Sequence, residues 1–125
     1  MTQISIVSRQ AAIVAADIAG YTRLMEQDEL GTFRRLLALR REILEPAARR
    51  HHGRVVKTSG DGLLLEFSSA LEAVRWGIDV QGSVARAGLE LPATHRLQLR
   101  VGIHHARVFI ADGDVFGDGG CSVVP

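Results

Sequence analysis

Residues 54–67, RVVKTSGDGLLLEF, constrain the fold more than any other stretch. Two β-rich runs, Arg54 to Thr58 and Leu63 to Phe67, flank Ser59-Gly60-Asp61-Gly62, and an Asp-Gly pair between two such runs predicts an antiparallel hairpin. What surrounds the hairpin decides the rest. From Glu29 to about Arg50, apolar residues recur at Leu30, Phe33, Leu36, Leu37, Ile43, Leu44 and Ala47. Arg34, Arg35, Arg40, Arg41 and Glu42 fall mostly on the other side, which predicts an amphipathic helix with a solvated basic face. After the hairpin, Ser68 or Ser69 caps a second predicted helix reaching about Ala87, with Leu71, Val74, Ile78 and Val84 as its apolar side. Ahead of the first helix, Ala11 to Ile18 is an apolar run long enough for one buried strand and too short for a membrane span. A linker, Gly88 to His95, leads to an alternating run, Arg96 to His104, which reads as a half-buried strand with Val108 to Ile110 as its return.

The order strand, helix, strand, strand, helix, strand is the split βαβ, ferredoxin-like arrangement of an α+β domain. If the first strand runs upward, the right-handed crossover sends the second upward too, so the hairpin tip lies at the top. Asp17 ends the first run and Asp61 sits in the hairpin turn, so both are expected at one edge of the sheet. Two carboxylates at the mouths of buried strands are costly to desolvate, and a divalent cation is a common compensation where they converge. Asp61 has a plainer reading as a turn residue, and Lys57 one as a solvated strand residue.

With 125 residues there is room for one domain with a modest core. Fifteen Lys and Arg against 14 acidic residues give no field suited to gripping a polynucleotide backbone, so no nucleic-acid partner is expected. The single Cys121 excludes an intramolecular disulfide, no leader-like or membrane-spanning segment stands near Met1, and a cytoplasmic location is the expectation. The adjacent pairs His51-His52 and His104-His105 diverge on either a helix or a strand, which argues against shared metal ligation. Asp112, Asp114 and Asp118 lack the oxygen donor and closing Glu of a calcium loop and read as turn residues.

The strings VAADIAGYTRLM, VVKTSGDGLLLEF and LRVGIHHARVFIADGDVFGDG, in this order, resemble the catalytic domain of class III nucleotide cyclases, bacterial adenylate cyclases in particular, over residues 10–119. The resemblance implies a palm-type cyclase fold, incomplete at its C-terminal end, with residues 1–9 as an extension and 120–125 as an aberrant tail. It implies conversion of ATP to cyclic AMP and pyrophosphate with two Mg2+ or Mn2+ ions. The implied metal set is Asp17, Ile18 and Asp61. Lys57 and Asp114 match the pair that reads adenine, and the backbone from Ile18 through Gly20, Tyr21 and Thr22 matches the loop receiving the triphosphate, consistent with amides ahead of a helix.

Departures from the family come at the end. Where the family carries a ribose-orienting asparagine and a transition-state arginine, this chain has Cys121 and Pro125. Family members form head-to-tail dimers, so a homodimer would lack both groups, and losing several preorganised donors predicts negligible turnover by these residues alone. A truncated or frame-shifted cyclase is one expectation. A catalytically dead module that binds nucleotide, or that pairs with a complete cyclase subunit, is the alternative. A phosphoacceptor receiver domain fits less well, because it needs regular βα alternation and a further acidic residue beside Asp17. The signature hairpin of diguanylate cyclases is not present.

Overall fold

The computed structural model describes residues 3–111, 114–118 and 121–124. Strand β1 spans Ile6–Ile18, followed by helices α1 (Tyr21–Gln27) and α2 (Glu29–Leu39), a π-helical turn Arg40–Leu44, and α3 (Glu45–Arg50). The hairpin strands β2 (Gly53–Ser59) and β3 (Gly62–Phe67) lead to α4 (Ala70–Gly88), and β4 (Leu99–Ala111), β5 (Asp114–Asp118) and β6 (Cys121–Val124) complete the described chain. The sheet order is β2-β3-β1-β4-β5, with β6 also paired to β4, and the pairs are antiparallel. Four neighbouring strands, β2-β3-β1-β4, form the split βαβ topology predicted from the element order.

Alternation divides the sheet into two faces. Val14, Ala16 and Ile18 of β1, Leu63, Leu65 and Phe67 of β3, and Leu99, Val101 and Ile103 of β4 are buried with Leu36, Leu44, Ala47, Trp76 and Val80 of the helices. Residues between them, Ala15, Asp17, Leu64, Arg100 and Gly102, line an open groove on the opposite face. Among the described residues no helix is long and apolar enough to cross a membrane.

Several elements differ from the sequence expectation. The long helix is three segments, because Pro46 has no N–H for the carbonyl four residues back and its ring crowds the preceding turn, so the chain widens into a π turn just before it. Leu30 and Phe33 were expected inward and are exposed, while Thr32 is buried and donates its hydroxyl to the Leu24 carbonyl at 3.0 Å.

Helix α4 is capped by Ser69 as expected, its hydroxyl accepting from Glu72 N at 3.2 Å, but its phase differs. Ala73, Trp76, Gly77 and Val80 face the sheet, and Leu71, Val74 and Ile78 face out. Small residues at 73 and 77 let the helix close on the strands, and the indole between them supplies the bulk. Trp76 packs on Phe67 with ring centroids 5.6 Å apart, and its Nε1–H donates to the Leu44 carbonyl at 3.2 Å.

Strand β1 begins at Ile6, five positions earlier than the apolar run alone suggests, because Ile6 to Gln10 pair with Arg107 to Ala111. Val108 to Ile110 continue β4, and the return strand is β5, pairing Ala111 with Asp114.

Candidate functional site

The groove, about 530 Å³, opens where β1 and the β2-β3 hairpin end. Strand β1 stops because Gly20 takes a left-handed backbone (φ 65°) that turns the chain into α1. The hairpin turns through Gly60, also left-handed at φ 57°, and Asp61, with Ser59 paired to Gly62. The two-residue loop is therefore Gly60-Asp61, one position ahead of the Asp61-Gly62 pair that signalled the turn.

These turns bring the two aspartates to one edge of the sheet. The Ile18 backbone N–H donates to Asp61 Oδ2 at 2.9 Å, tying the hairpin tip to the residue that follows Asp17. Asp17 lies directly across from Arg100 on β4. Arg100 donates from Nε to Asp17 Oδ1 at 2.7 Å and from Nη2 to Oδ2 at 3.0 Å, a two-pronged pair. Donation to Asp17 raises the Arg100 pKa above its ordinary value, with the Asp17 charge next and a further contribution from Asp61.

Lys57 reaches the same groove through an irregularity. In β2, Val55 pairs with Leu65 and Lys57 with Leu64, so Val56 is an extra residue, a β-bulge. Strict alternation from Arg54 would turn Lys57 toward the helices. The bulge turns it to the open face, where Lys57, Leu64, Ala15 and Gly102 form one row across four strands.

The chain segment matched to the triphosphate loop sits at the same end. Gly20 and Thr22 are exposed and Tyr21 packs partly into the core. Asp114 opens β5 opposite Ala111; its side chain lies outside the described residues, as do Asp112, Gly119, Gly120 and Pro125.

Two arginines escaped the sequence reading. Arg40 was expected on a solvated face; instead its guanidinium reaches the hairpin tip, donating to the Gly62 carbonyl at 3.2 Å and contacting the Gly60 carbonyl. It props up the turn that carries Asp61. Arg100 appeared only as a polar alternate in a strand, and pairing it with Asp17 needs the β1-β4 register. His51 is held by Asp79 at 2.9 Å and by Glu72, in a cluster between α3 and α4 away from the groove.

Among the described residues no group of three or more His, Cys, Asp or Glu converges to hold an ion. The Asp17 and Asp61 carboxylates, at one edge of the sheet, are oxygen donors. That suits a hard divalent cation which keeps water and takes further oxygens from a phosphate substrate.

No family model matches the chain. Residues of this chain are 46% identical over 119 positions to the protein named "Putative adenylate cyclase 3" of Rhizobium meliloti (strain 1021), covering 95% of this chain and 20% of that protein. They are 30% identical over 106 positions to serine/threonine-protein kinase pkn2 of Myxococcus xanthus, covering 85% of this chain and 13% of that one. The chain thus spans a fifth or less of the curated relatives it matches. The crystal structure of an adenylate/guanylate cyclase/hydrolase from Silicibacter pomeroyi superimposes with a TM-score of 0.83 at 39% identity, over 91% of this chain and 66% of that one. With the sheet order, the paired aspartates at its edge and these similarities, the chain belongs to the class III adenylate/guanylate cyclase catalytic-domain family.

Proposed function

We infer that this domain binds ATP with divalent cations and contributes half of a site that forms cyclic AMP and pyrophosphate. The observation that carries the reading is the convergence of Asp17 and Asp61, through the Ile18 N–H to Asp61 bond, at the mouth of a groove that also holds Lys57. In the reaction the ribose 3′-oxygen bonds to the α-phosphorus, the bond to the bridging α-β oxygen breaks, pyrophosphate leaves, and the 3′-hydroxyl proton passes to solvent. Asp17, Asp61 and the Ile18 carbonyl would hold two Mg2+ or Mn2+ ions. Such ions lower the pKa of the attacking hydroxyl and neutralise charge on the leaving phosphates.

The chain's own groups supply the rest. Arg40 fixes the hairpin tip so that Asp61 needs little reorganisation on binding. Lys57 is suited to donate to adenine N1, and a carboxylate at Asp114 to accept from the exocyclic amine, a pairing that guanine reverses. The backbone from Gly20 to Thr22 would face the phosphates. A head-to-tail dimer with a complete cyclase subunit would bring these groups against the partner's complementary ones, whereas a homodimer would present Cys121 and Pro125 there.

Cys121 and Pro125 favour a second reading, a nucleotide-binding or dimerising regulatory module without turnover of its own, because neither supplies the amide or the cation that the family uses at those positions. Titration calorimetry separates the possibilities at the binding step. ATP should bind with Mn2+ and only weakly without it, and the dependence on Mn2+ should vanish in an Asp17→Asn, Asp61→Asn double variant. Equal binding in both conditions removes the metal role. A manganese assay for cyclic AMP on residues 1–125 should give almost no product, and ready turnover would eliminate the regulatory-module reading.

A further inference from the structure

The contact between Arg100 and Asp17 has a consequence for how a metal enters. Both Asp17 oxygens accept from one guanidinium, at 2.7 and 3.0 Å. Each oxygen keeps a second lone pair, but a cation approaching it meets the positive charge of the guanidinium that already occupies the first. Asp61 differs, because Oδ2 accepts from a backbone N–H whose position is set by the strand. Of the two carboxylates, one is held by the scaffold and the other by an exposed side-chain charge. The Arg100 side chain is 65% exposed and that of Asp17 43%, so the pair sits in water at the groove mouth, where it opens at little cost.

We propose that Arg100 is a built-in counter-ion for the metal site: it occupies Asp17 while the cation is away and competes with the cation for that carboxylate. This rests on the metal role assigned above to Asp17. In the cation-free state the guanidinium offsets the repulsion between Asp17 and Asp61, which the register holds at one sheet edge. When a divalent ion arrives it replaces a single positive charge, so the site trades one counter-ion for another and never exposes two uncompensated carboxylates. The released guanidinium stays tethered on β4 beside the groove. The arrangement raises the cation concentration at which the site fills.

The probe is Mn2+ alone, with no nucleotide, measured by calorimetry and by loss of the free-ion electron paramagnetic resonance signal. Arg100→Gln should bind Mn2+ about two- to five-fold more tightly than the parent, the range expected for release of an exposed ion pair. Arg100→Lys, which keeps the charge and loses the two-pronged geometry, should fall between. The gain should disappear when Asp17→Asn is added. Circular dichroism checks that each variant is folded, and substitution at an exposed groove position leaves the core intact. If Asp17→Asn weakens Mn2+ binding while Arg100→Gln binds no tighter than the parent, the metal role survives and the counter-ion proposal is overturned. If neither the parent nor Arg100→Gln binds Mn2+, both fall together. Tighter binding by Arg100→Gln that persists in the double variant also overturns it, since the competition would not be for Asp17.

Discussion

Replacing Trp76 tests the helix phase and the core together. The side chain is fully buried, stacks on Phe67 at 5.6 Å, and donates to the Leu44 carbonyl at 3.2 Å. Trp76→Ala removes the ring and leaves a cavity under α4, which costs about 3–5 kcal/mol. It also removes the donor for a buried carbonyl, adding roughly 1 kcal/mol or more unless water enters. The sum is comparable with the whole stability of a small domain, about 5–15 kcal/mol. Trp76→Phe keeps the ring contact and loses chiefly the hydrogen bond, so it should cost about 1–2 kcal/mol. Controls on the outward face, Leu71→Ala and Ile78→Ala, should each stay within about 0.5 kcal/mol. Urea denaturation followed by circular dichroism measures all four, and the parent offers a second probe because Trp76 is its one tryptophan. The reasoning fails if Trp76→Ala costs less than about 1 kcal/mol, or if Ile78→Ala costs as much as Trp76→Ala.

The groove and the surface clusters give further expectations. Ala15→Leu should abolish ATP binding without lowering stability, since its side chain points into the open groove floor; calorimetry and thermal melts read both, and retained binding would move the nucleotide elsewhere. Arg40→Ala should weaken Mn2+ binding several-fold by freeing the hairpin tip, and an unchanged affinity would leave Arg40 with no part in placing Asp61. The Asp79 carboxyl is held below the ordinary value of 3.8 by its hydrogen bond from His51, against an opposing effect of burial, with Arg50 assisting. Its stabilising effect is therefore complete above the unfolded pKa and lost as pH falls through the lower folded value. Comparing the parent with Asp79→Asn by denaturation from neutral to acid pH should show a gap of up to about 1 kcal/mol that closes below that range; a gap that widens in acid refutes it. In a domain continued beyond Gly119 with the family's asparagine and arginine, the pair Lys57→Glu, Asp114→Cys should shift use from ATP toward GTP, and unchanged selectivity would show that Lys57 and Asp114 do not read the base.

Topology was legible in the sequence because hydrophobic periodicity and one turn signal carry it. Four strands, two helices and an Asp-Gly turn allow few sheet orders, and the predicted crossover already set Asp17 beside Asp61. Helix phase was not legible. Leu71, Val74 and Ile78 make a more hydrophobic stripe, residue for residue, than Ala73, Trp76, Gly77 and Val80, but small residues and one indole allow a closer helix-sheet approach, a packing property that hydrophobicity does not encode. Arg40 and Arg100 were hidden for a related reason. A charged residue in an amphipathic pattern reads as solvated until the fold shows which backbone carbonyl or carboxylate lies within its reach.

The extra residue at Val56 has an effect on how this hairpin tolerates length changes. A β-strand counts in twos and Val56 stands outside that count, so deleting it would restore regular pairing and leave Lys57 opposite Leu64 on the groove face, whereas deleting Thr58 would slide Lys57 opposite the buried Leu63, into the packed layer beneath the helices. The turn at Gly60-Asp61 would be unaltered in composition, yet the cation nearest the groove floor would meet aliphatic side chains. A deletion between the bulge and the turn is therefore more disruptive to the groove than one at the bulge, and an alignment that slides one residue there would place Val56 or Thr58 where Lys57 stands.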